Sequence, residues 1–362
     1  MTSPVEISWF GALCDDDYEF LGVPDPSLVS SWDHCRDIVQ TADRNGFDNV
    51  LLPSGYQLGI DSTAFASAIA THTEQIHLLL AVRIGEMWLP QLARQLATID
   101  QLAGGRLTIN IISSDMPGQT LDSEPRYRRT VEYMHGLRAL LDGERLEISG
   151  EFANFDLDPP RIATVDPGCP PMYFGGFSDA AKECAAEAAD VFLTWPDTVA
   201  SVAETITDMR MRADRFGRTL RYGLRAHMVV RETETEARAA ADRLISRLDA
   251  ETGAAIKGRS LDTQSVGVSR QNELRAGADD DGYAEANLWT GVGRARSGAG
   301  AALVGDPDQV VAKLRAYQEV GVDAFILSGY THIAECDLVA EHVLPNIEHA
   351  ALRPRLHRAR HG

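Results

Sequence analysis

The chain is poor in lysine: only Lys182, Lys257 and Lys313 stand among its 34 basic residues, the other 31 being arginine. Those 34 face 53 acidic residues, giving a formal net charge of −19 with the acids spread along the whole length. Nucleic acid and anionic membrane surfaces both demand a basic face, so neither is expected as a partner. Cysteine is scarce and odd in number, five residues (Cys14, Cys35, Cys169, Cys184, Cys336) without a C-x-x-C pair. That argues against a disulfide framework and against a thiolate zinc site. No apolar run reaches the roughly 18 residues that a membrane-spanning helix needs. The first ten residues carry neither a basic cluster nor a long apolar core. They read as the start of a first strand and not as a signal peptide, so a cytoplasmic protein is expected. No G-x-G-x-x-G follows that strand, which removes the usual sign of an open dinucleotide-binding sheet. The histidines form no H-x-H pair, and no metal site is expected.

What is present is a chain of 362 residues, 44% hydrophobic and 24% charged, enough for one large α/β barrel. Short β-branched and aliphatic runs alternate with amphipathic stretches, the mark of repeated βα units. The pattern predicts strands at Glu6–Ala12, Asn49–Pro53, Ile76–Val82, Leu107–Ser113, Met172–Gly175, Val191–Trp195, Arg221–Val230 and Ala324–Ser328. Helices are predicted at Asp33–Asn45, Ser62–Thr71, Pro90–Leu102, Arg126–Leu141, Ser178–Ala188, Val199–Phe216, Glu234–Glu251, Pro307–Val320 and Ala334–His349. Pro90 and Pro307 suit a first helical turn, and Asp33 and Ser178 suit N-caps. Eight strands in alternation with helices predict a closed (β/α)₈ barrel, a TIM barrel formed by residues 1–362 as a single domain.

Two segments break the repeat. Glu147–Asp158 alternates polar and apolar residues, which predicts a small hairpin inside an insertion near 143–169. Gly253–Gly300 is long, polar and rich in Gly, Arg, Asp and Ser. Structureless loops of that length are lids or disordered segments, and a mobile lid over the strand ends is expected here.

In such barrels the working residues sit at the C-terminal ends of strands. The seventh strand offers Arg225, His227 and Arg231 at alternate positions, hence on one face. An inward Arg and His are costly to bury unless something anionic binds there, while an outward face would pack their stems against helices. Tyr330 and His332 follow the eighth strand, where a pair of this kind gives or takes protons, or serves only structure. Tyr173–Asp179, YFGGFSD, places Gly175, Gly176 and Ser178 at a helix start. Free N–H groups there suit a phosphate, and the same pattern also makes an ordinary tight turn.

Six blocks carry a family resemblance: ARQLATIDQLAGGRL (93–107), PPMYFGGFSDAAKE (170–183), VFLTW (191–195), RYGLRAHMVVRET (221–233), NLWTGVGRARSGAGAALVGDP (287–307) and FILSGYTHIAE (325–335). Together they resemble the alkanesulfonate monooxygenase branch of the bacterial luciferase-like flavin monooxygenases, over nearly the whole chain. The resemblance implies a homo-oligomer, dimer or tetramer, that takes reduced FMN (FMNH2) from a separate NAD(P)H-dependent FMN reductase. It implies activation of O2 as a peroxyflavin and oxygenation of an organosulfur substrate, giving an aldehyde and sulfite from a sulfonate. It further implies catalytic roles for Arg225, His227, Arg296, Tyr330 and His332, with Arg296 on the closing loop. Trp195, Arg225 and Arg296 would line the substrate pocket. Gly175, Gly176, Ser178 and Tyr127 would hold the FMN phosphate, and Asn110 would lie near the flavin ring.

The chain departs from that branch at FGALCDDDYEF (10–20), where the branch has a histidine and this chain has none, with Cys14 or Asp15 in that neighbourhood. It departs again at GYQLGID (55–61), which lacks the branch's cysteine, and at ISSDMPG (112–118). Asp15–Asp17 would repel a sulfonate if they faced the pocket, and a solvated loop is the commoner fate of such a run. A sulfonate or related organosulfur compound is therefore the leading substrate, with a larger or less anionic one as the alternative. An F420-dependent hydride-transfer enzyme of the same fold is a further alternative. So is a non-catalytic flavin-binding subunit, against which the presence of Arg225, His227, Tyr330 and His332 argues.

Overall fold

The computed structural model describes residues 3–55, 59–116, 118–257, 265–296 and 298–361, with the side chains of 250, 257 and 357–361 left aside. The barrel strands are β1 (Glu6–Phe10), β2 (Asn49–Leu52), β3 (His77–Arg83), β4 (Leu107–Ile112), β5 (Met172–Gly175), β6 (Val191–Thr194), β7 (Arg221–Val230) and β8 (Ala324–Ser328). Each is parallel to the next, and β8 closes on β1 in the register Ser8↔Ile326. β3 reads HLLLAVR because both faces are covered, one by the barrel interior and one by helices.

The flanking helices are α1 (Trp32–Arg44), α2 (Ser62–Ile69), α3 (Leu89–Leu102), α4 (Ser123–Leu141), α5 (Asp179–Ala188), α6 (Val199–Arg215), α7 (Glu234–Ile245), α8 (Ala250–Lys257), α9 (Val266–Ala276), α10 (Pro307–Glu319), α11 (His332–His342) and α12 (Leu352–His361). α1 shows the logic of their seating. Cys35, Ile38, Val39 and Ala42, at helical spacing, are buried on the sheet, while Asp33 and Arg36 lie outside. No helix among the described residues is long and apolar enough to cross a membrane.

The barrel floor is polar and satisfied. Glu6 accepts from the Tyr173 hydroxyl at 2.8 Å, from Asn49 at 3.3 Å and from the backbone N–H of Leu352 at 2.8 Å. The start of α12 thus plugs the end of the barrel opposite the site.

β7 is the strand that organises the mouth. β8 pairs along Gly223–His227 on one edge; β6 takes Arg221–Leu224 on the other. Beyond the end of β6, a strand at Ala302–Gly305 continues along that same edge from His227 to Val230. A hairpin of Tyr283–Glu285 and Leu288–Trp289 extends this arm. The 143–169 segment carries an antiparallel hairpin, Leu146–Ser149 against Asn154–Leu157.

Four expectations need correction. Ser31, not Asp33, caps α1: its hydroxyl accepts from the His34 N–H at 3.2 Å, while Asp33 sits in the first turn beside the positive helix end. The helix expected over Glu234–Glu251 breaks after Ile245, because Asp249 accepts from the Thr252 N–H at 2.7 Å and starts a new helix. The one expected over Ala334–His349 ends at His342, with Pro345 in the following 3₁₀ turn. The expectation that Gly253–Gly300 lacks structure also fails: its described residues include α9, the hairpin and a 3₁₀ turn at Gly291–Arg294.

Candidate functional site

Alternation along β7 turns Arg225 and His227 to the same side, and both are buried at the barrel mouth. The Arg225 guanidinium stands 4.6 Å from the ring centre of Phe10 and donates to the Ala226 carbonyl at 2.9 Å. Among the described residues no carboxylate pairs with it and Nη2 has no partner. Burial pushes its pKa down to about 10, so it remains a cation at neutral pH. A buried cation without a counter-ion is an anion site in waiting.

His227 stacks on Tyr330 with ring centres 5.2 Å apart, and its Nδ1 meets the Ser328 hydroxyl at 2.8 Å. Burial first, then the positive charge of Arg225, hold its pKa well below the ordinary histidine value, so it is neutral. Tyr330 also meets His332 edge-on at 5.4 Å. Arg231, by contrast, lies past the end of β7 and pairs with Glu335 of α11 at 2.6 and 3.0 Å. It ties helix to strand and leaves the site.

The three aspartates neither line the pocket as a repelling wall nor point into solvent. Asp15 accepts from the Ser30 N–H at 2.7 Å and braces the loop. Asp16 accepts from the Tyr330 hydroxyl at 2.9 Å and pairs with Arg296, which itself donates to that hydroxyl at 2.9 Å. Asp17 is shared by His332 and His34. Cys14, beside Arg296 and Arg225, has its thiol pKa raised by burial. Leu58, in the second departing loop, lies outside the described residues.

A second group gathers at the β5–α5 turn. Ser178 caps α5, accepting from the Ala181 N–H at 3.2 Å. A Cβ on Gly176 would fall 2.5 Å from the Ala181 Cβ and 3.7 Å from the Tyr127 hydroxyl, so only glycine leaves this cradle open. Gly175 is equally tight, its absent Cβ lying 2.7 Å from the Leu193 carbonyl oxygen. Tyr127 packs edge-on against Phe174 of β5 at 6.2 Å. Asn110 stands on β4 beside Tyr173 of β5 in register and is buried.

α9 lies across Trp195. Gln271 donates to the Pro196 carbonyl at 2.7 Å and Arg270 pairs with Asp197 at 3.0 Å. Gly267 lets the helix come close, since its Cβ would stand 2.6 Å from the Trp195 ring and 2.8 Å from Phe177. The residues expected from the sequence therefore form two groups. Arg225, His227, Arg296, Tyr330 and His332 make one, and Tyr127, Gly175, Gly176 and Ser178 the other, with Asn110 on β4 and Trp195 at the end of β6.

Sequence reasoning missed Phe10, Asp16, Asp17, His34 and Ser328. The only signal was the aspartate run itself, and Tyr330 and His332, which Asp16 and Asp17 meet, stand some 300 residues away. Among the described residues no group of three or more His, Cys, Asp or Glu could hold a metal ion.

A family model described as luciferase-like monooxygenase matches residues 20–324. The chain is 62% identical over 354 residues to a sulfoquinovose monooxygenase of Novosphingobium aromaticivorans, covering 96% of this chain and 98% of that one. It is 48% identical over 350 residues to a sulfoquinovose monooxygenase of Agrobacterium fabrum, covering 96% and 91%. A riboflavin lyase, solved with modified FMN and riboflavin, superimposes with a TM-score of 0.78 at 16% identity, over 98% of this chain and 92% of that one. Likeness at that identity bears on the fold alone.

Proposed function

Because the chain belongs to the luciferase-like monooxygenase family, and is thus a monooxygenase, we propose that it oxygenates the sulfonate-bearing carbon of a sulfonated sugar such as sulfoquinovose, using reduced FMN and O2. The balance is one sulfonate, one O2 and one reduced flavin giving an aldehyde, sulfite, water and oxidised flavin. A separate NAD(P)H-dependent reductase supplies the flavin, and the enzyme works as a homo-oligomer. The observation that carries the reading is Arg225, a buried cation with no carboxylate partner and an unpartnered Nη2 among the described residues. A sulfonate supplies the missing charge and accepts from that nitrogen. Similarity to two proteins named for sulfoquinovose supports the sugar in preference to a plain alkanesulfonate.

The residues present fit FMN. The glycine cradle, the Ser178 turn and the Tyr127 hydroxyl suit its phosphate, and the buried Asn110 offers an amide for the ring. Bound there, the flavin supplies the electrons that activate oxygen. The chain's own residues then have distinct tasks. Arg225 fixes the sulfonate. His227 and His332, both neutral, hold or move protons at their Nε2 atoms; that of His332 has no hydrogen-bond partner among the described residues, and the Ala299 backbone lies beside His227. Arg296 and Tyr330 join the closing segment to the barrel rim, and α9 over Trp195 excludes water.

Anaerobic titration with reduced FMN, followed by oxygenated buffer containing sulfoquinovose, tests the reading. Saturable binding and one sulfite per flavin oxidised are expected. Absence of reduced-FMN binding would sink it and make F420 the cofactor to try. Binding without sulfite from any sulfonate would overturn the substrate class alone.

A further inference from the structure

Asp17 comes from the loop after β1 and His332 from the first turn of α11, 315 residues apart, yet they share two contacts. The Asp17 carboxylate is 1% exposed, and its Oδ1 accepts from the backbone N–H of His332 at 3.0 Å and lies 3.1 Å from its Nδ1. The same oxygen accepts from the Tyr18 N–H at 3.0 Å, while Oδ2 lies 3.0 Å from Nε2 of His34 on α1. An ionised carboxylate only accepts, so the ring nitrogen facing it must carry the proton. The other nitrogen of His332, Nε2, is buried and has no partner among the described residues.

We propose that Asp17 is a positioning residue for His332, holding the ring in its Nδ1–H form so that Nε2 is presented to the site as a proton acceptor. The proposal rests on the monooxygenase reading for its catalytic consequence only. When Nε2 takes a proton, the resulting imidazolium is balanced by the carboxylate behind it, and the proton returns when Nε2 donates.

The groups facing His332 set its titration. Trp9 and Phe10 of β1 and Tyr330 lie around the ring. Arg225 of β7 and Arg296 of the 253–300 segment oppose its protonation, as burial does, and Asp17 favours it. His227 stands behind Tyr330, Asp16 is engaged by Arg296, and Glu335 on the same helix is engaged by Arg231. Burial is the strongest of these influences, so His332 titrates below 6.5.

The test is nitrogen NMR of the full-length protein labelled at histidine, with His332→Gln assigning the signal. A protonated Nδ1 and a bare Nε2 are expected at pH 8, without flavin, substrate or turnover. Asp17→Asn keeps the size of the side chain and removes its charge. In that variant the His332 midpoint should fall further, and kcat should drop by about 100-fold with KM unchanged. Finding Nε2–H as the native form would overturn the proposal. So would an Asp17→Asn enzyme whose midpoint is unmoved, even if its kcat falls, since that would make Asp17 a purely structural brace. A failure of the monooxygenase reading would appear separately, as no binding of reduced FMN.

Discussion

Replacing Arg225 by methionine separates a binding role from a structural one. Methionine keeps a long apolar stem and removes only the guanidinium. The charge is buried without a counter-ion among the described residues, and its pKa falls from 12.5 to about 10. At about 1.4 kcal/mol per pKa unit, that shift corresponds to about 3 kcal/mol against folding with the charge in place. The sign is that of a depressed basic group: the cost is present at neutral pH and fades only as pH climbs from 10 toward 12.5. Against it stand the Phe10 contact and one hydrogen bond to a neighbouring carbonyl, together worth about 1–2 kcal/mol. The ligand-free Arg225→Met protein should therefore unfold at the same or higher denaturant concentration than the native one.

The sulfonate complex should behave oppositely. Removing one partner of a buried charge pair costs about 2 kcal/mol or more, at least thirtyfold in Kd. Chemical denaturation without ligand and calorimetric titration with sulfoquinovose measure the two effects on one preparation. A variant destabilised by several kcal/mol that still binds the sulfonate normally would refute the reasoning, because the arginine would then be a packing element.

Other outcomes follow from the same geometry. Gly267→Ala places a methyl group within 2.6 Å of Trp195 and should lift α9, so more flavin is oxidised per sulfite formed; an unchanged ratio would mean that α9 does not seal the site. Tyr127→Phe removes the hydroxyl beside the Gly176 cradle and should weaken reduced-FMN binding by about fivefold, read by anaerobic titration. His349 is bonded to Asp48 and its pKa is raised above 6.5 by that contact. Its contribution to stability is full below pH 6.5 and is lost as pH rises through the folded-state value. The gap in unfolding free energy between the native protein and His349→Gln should thus be wider at pH 5.5 than at pH 8.5.

Periodicity carried the fold. Runs such as HLLLAVR and RYGLRAHMVV are short, continuous and largely apolar, and their strict alternation with amphipathic stretches left a barrel as the consistent solution. Local turn chemistry was legible where it is truly local, as with Ser178 before α5 and Pro307 in the first turn of α10. It misled where two candidates competed within a turn: Ser31 and Asp33 differ only in which N–H their oxygens reach. The break after Ile245 escaped because residues on both sides are good helix formers, and the Asp249 cap decides it.

The sequence by itself determined the barrel, the strand ends on which Arg225, His227, Tyr330 and His332 sit, and the glycine turn at Gly175–Ser178. Those features depend on backbone periods and neighbouring residues. Only the tertiary structure decided what Asp15, Asp16 and Asp17 do. A run of acids is repulsive in isolation, and its energy changes sign when Arg296, Tyr330, His332 and His34 arrive from elsewhere. It also decided that Arg225 meets no carboxylate among the described residues while Arg231, just past the end of the strand, finds Glu335. A charge's meaning lies in its partners, and ring closure of the barrel brings those together across some 300 residues.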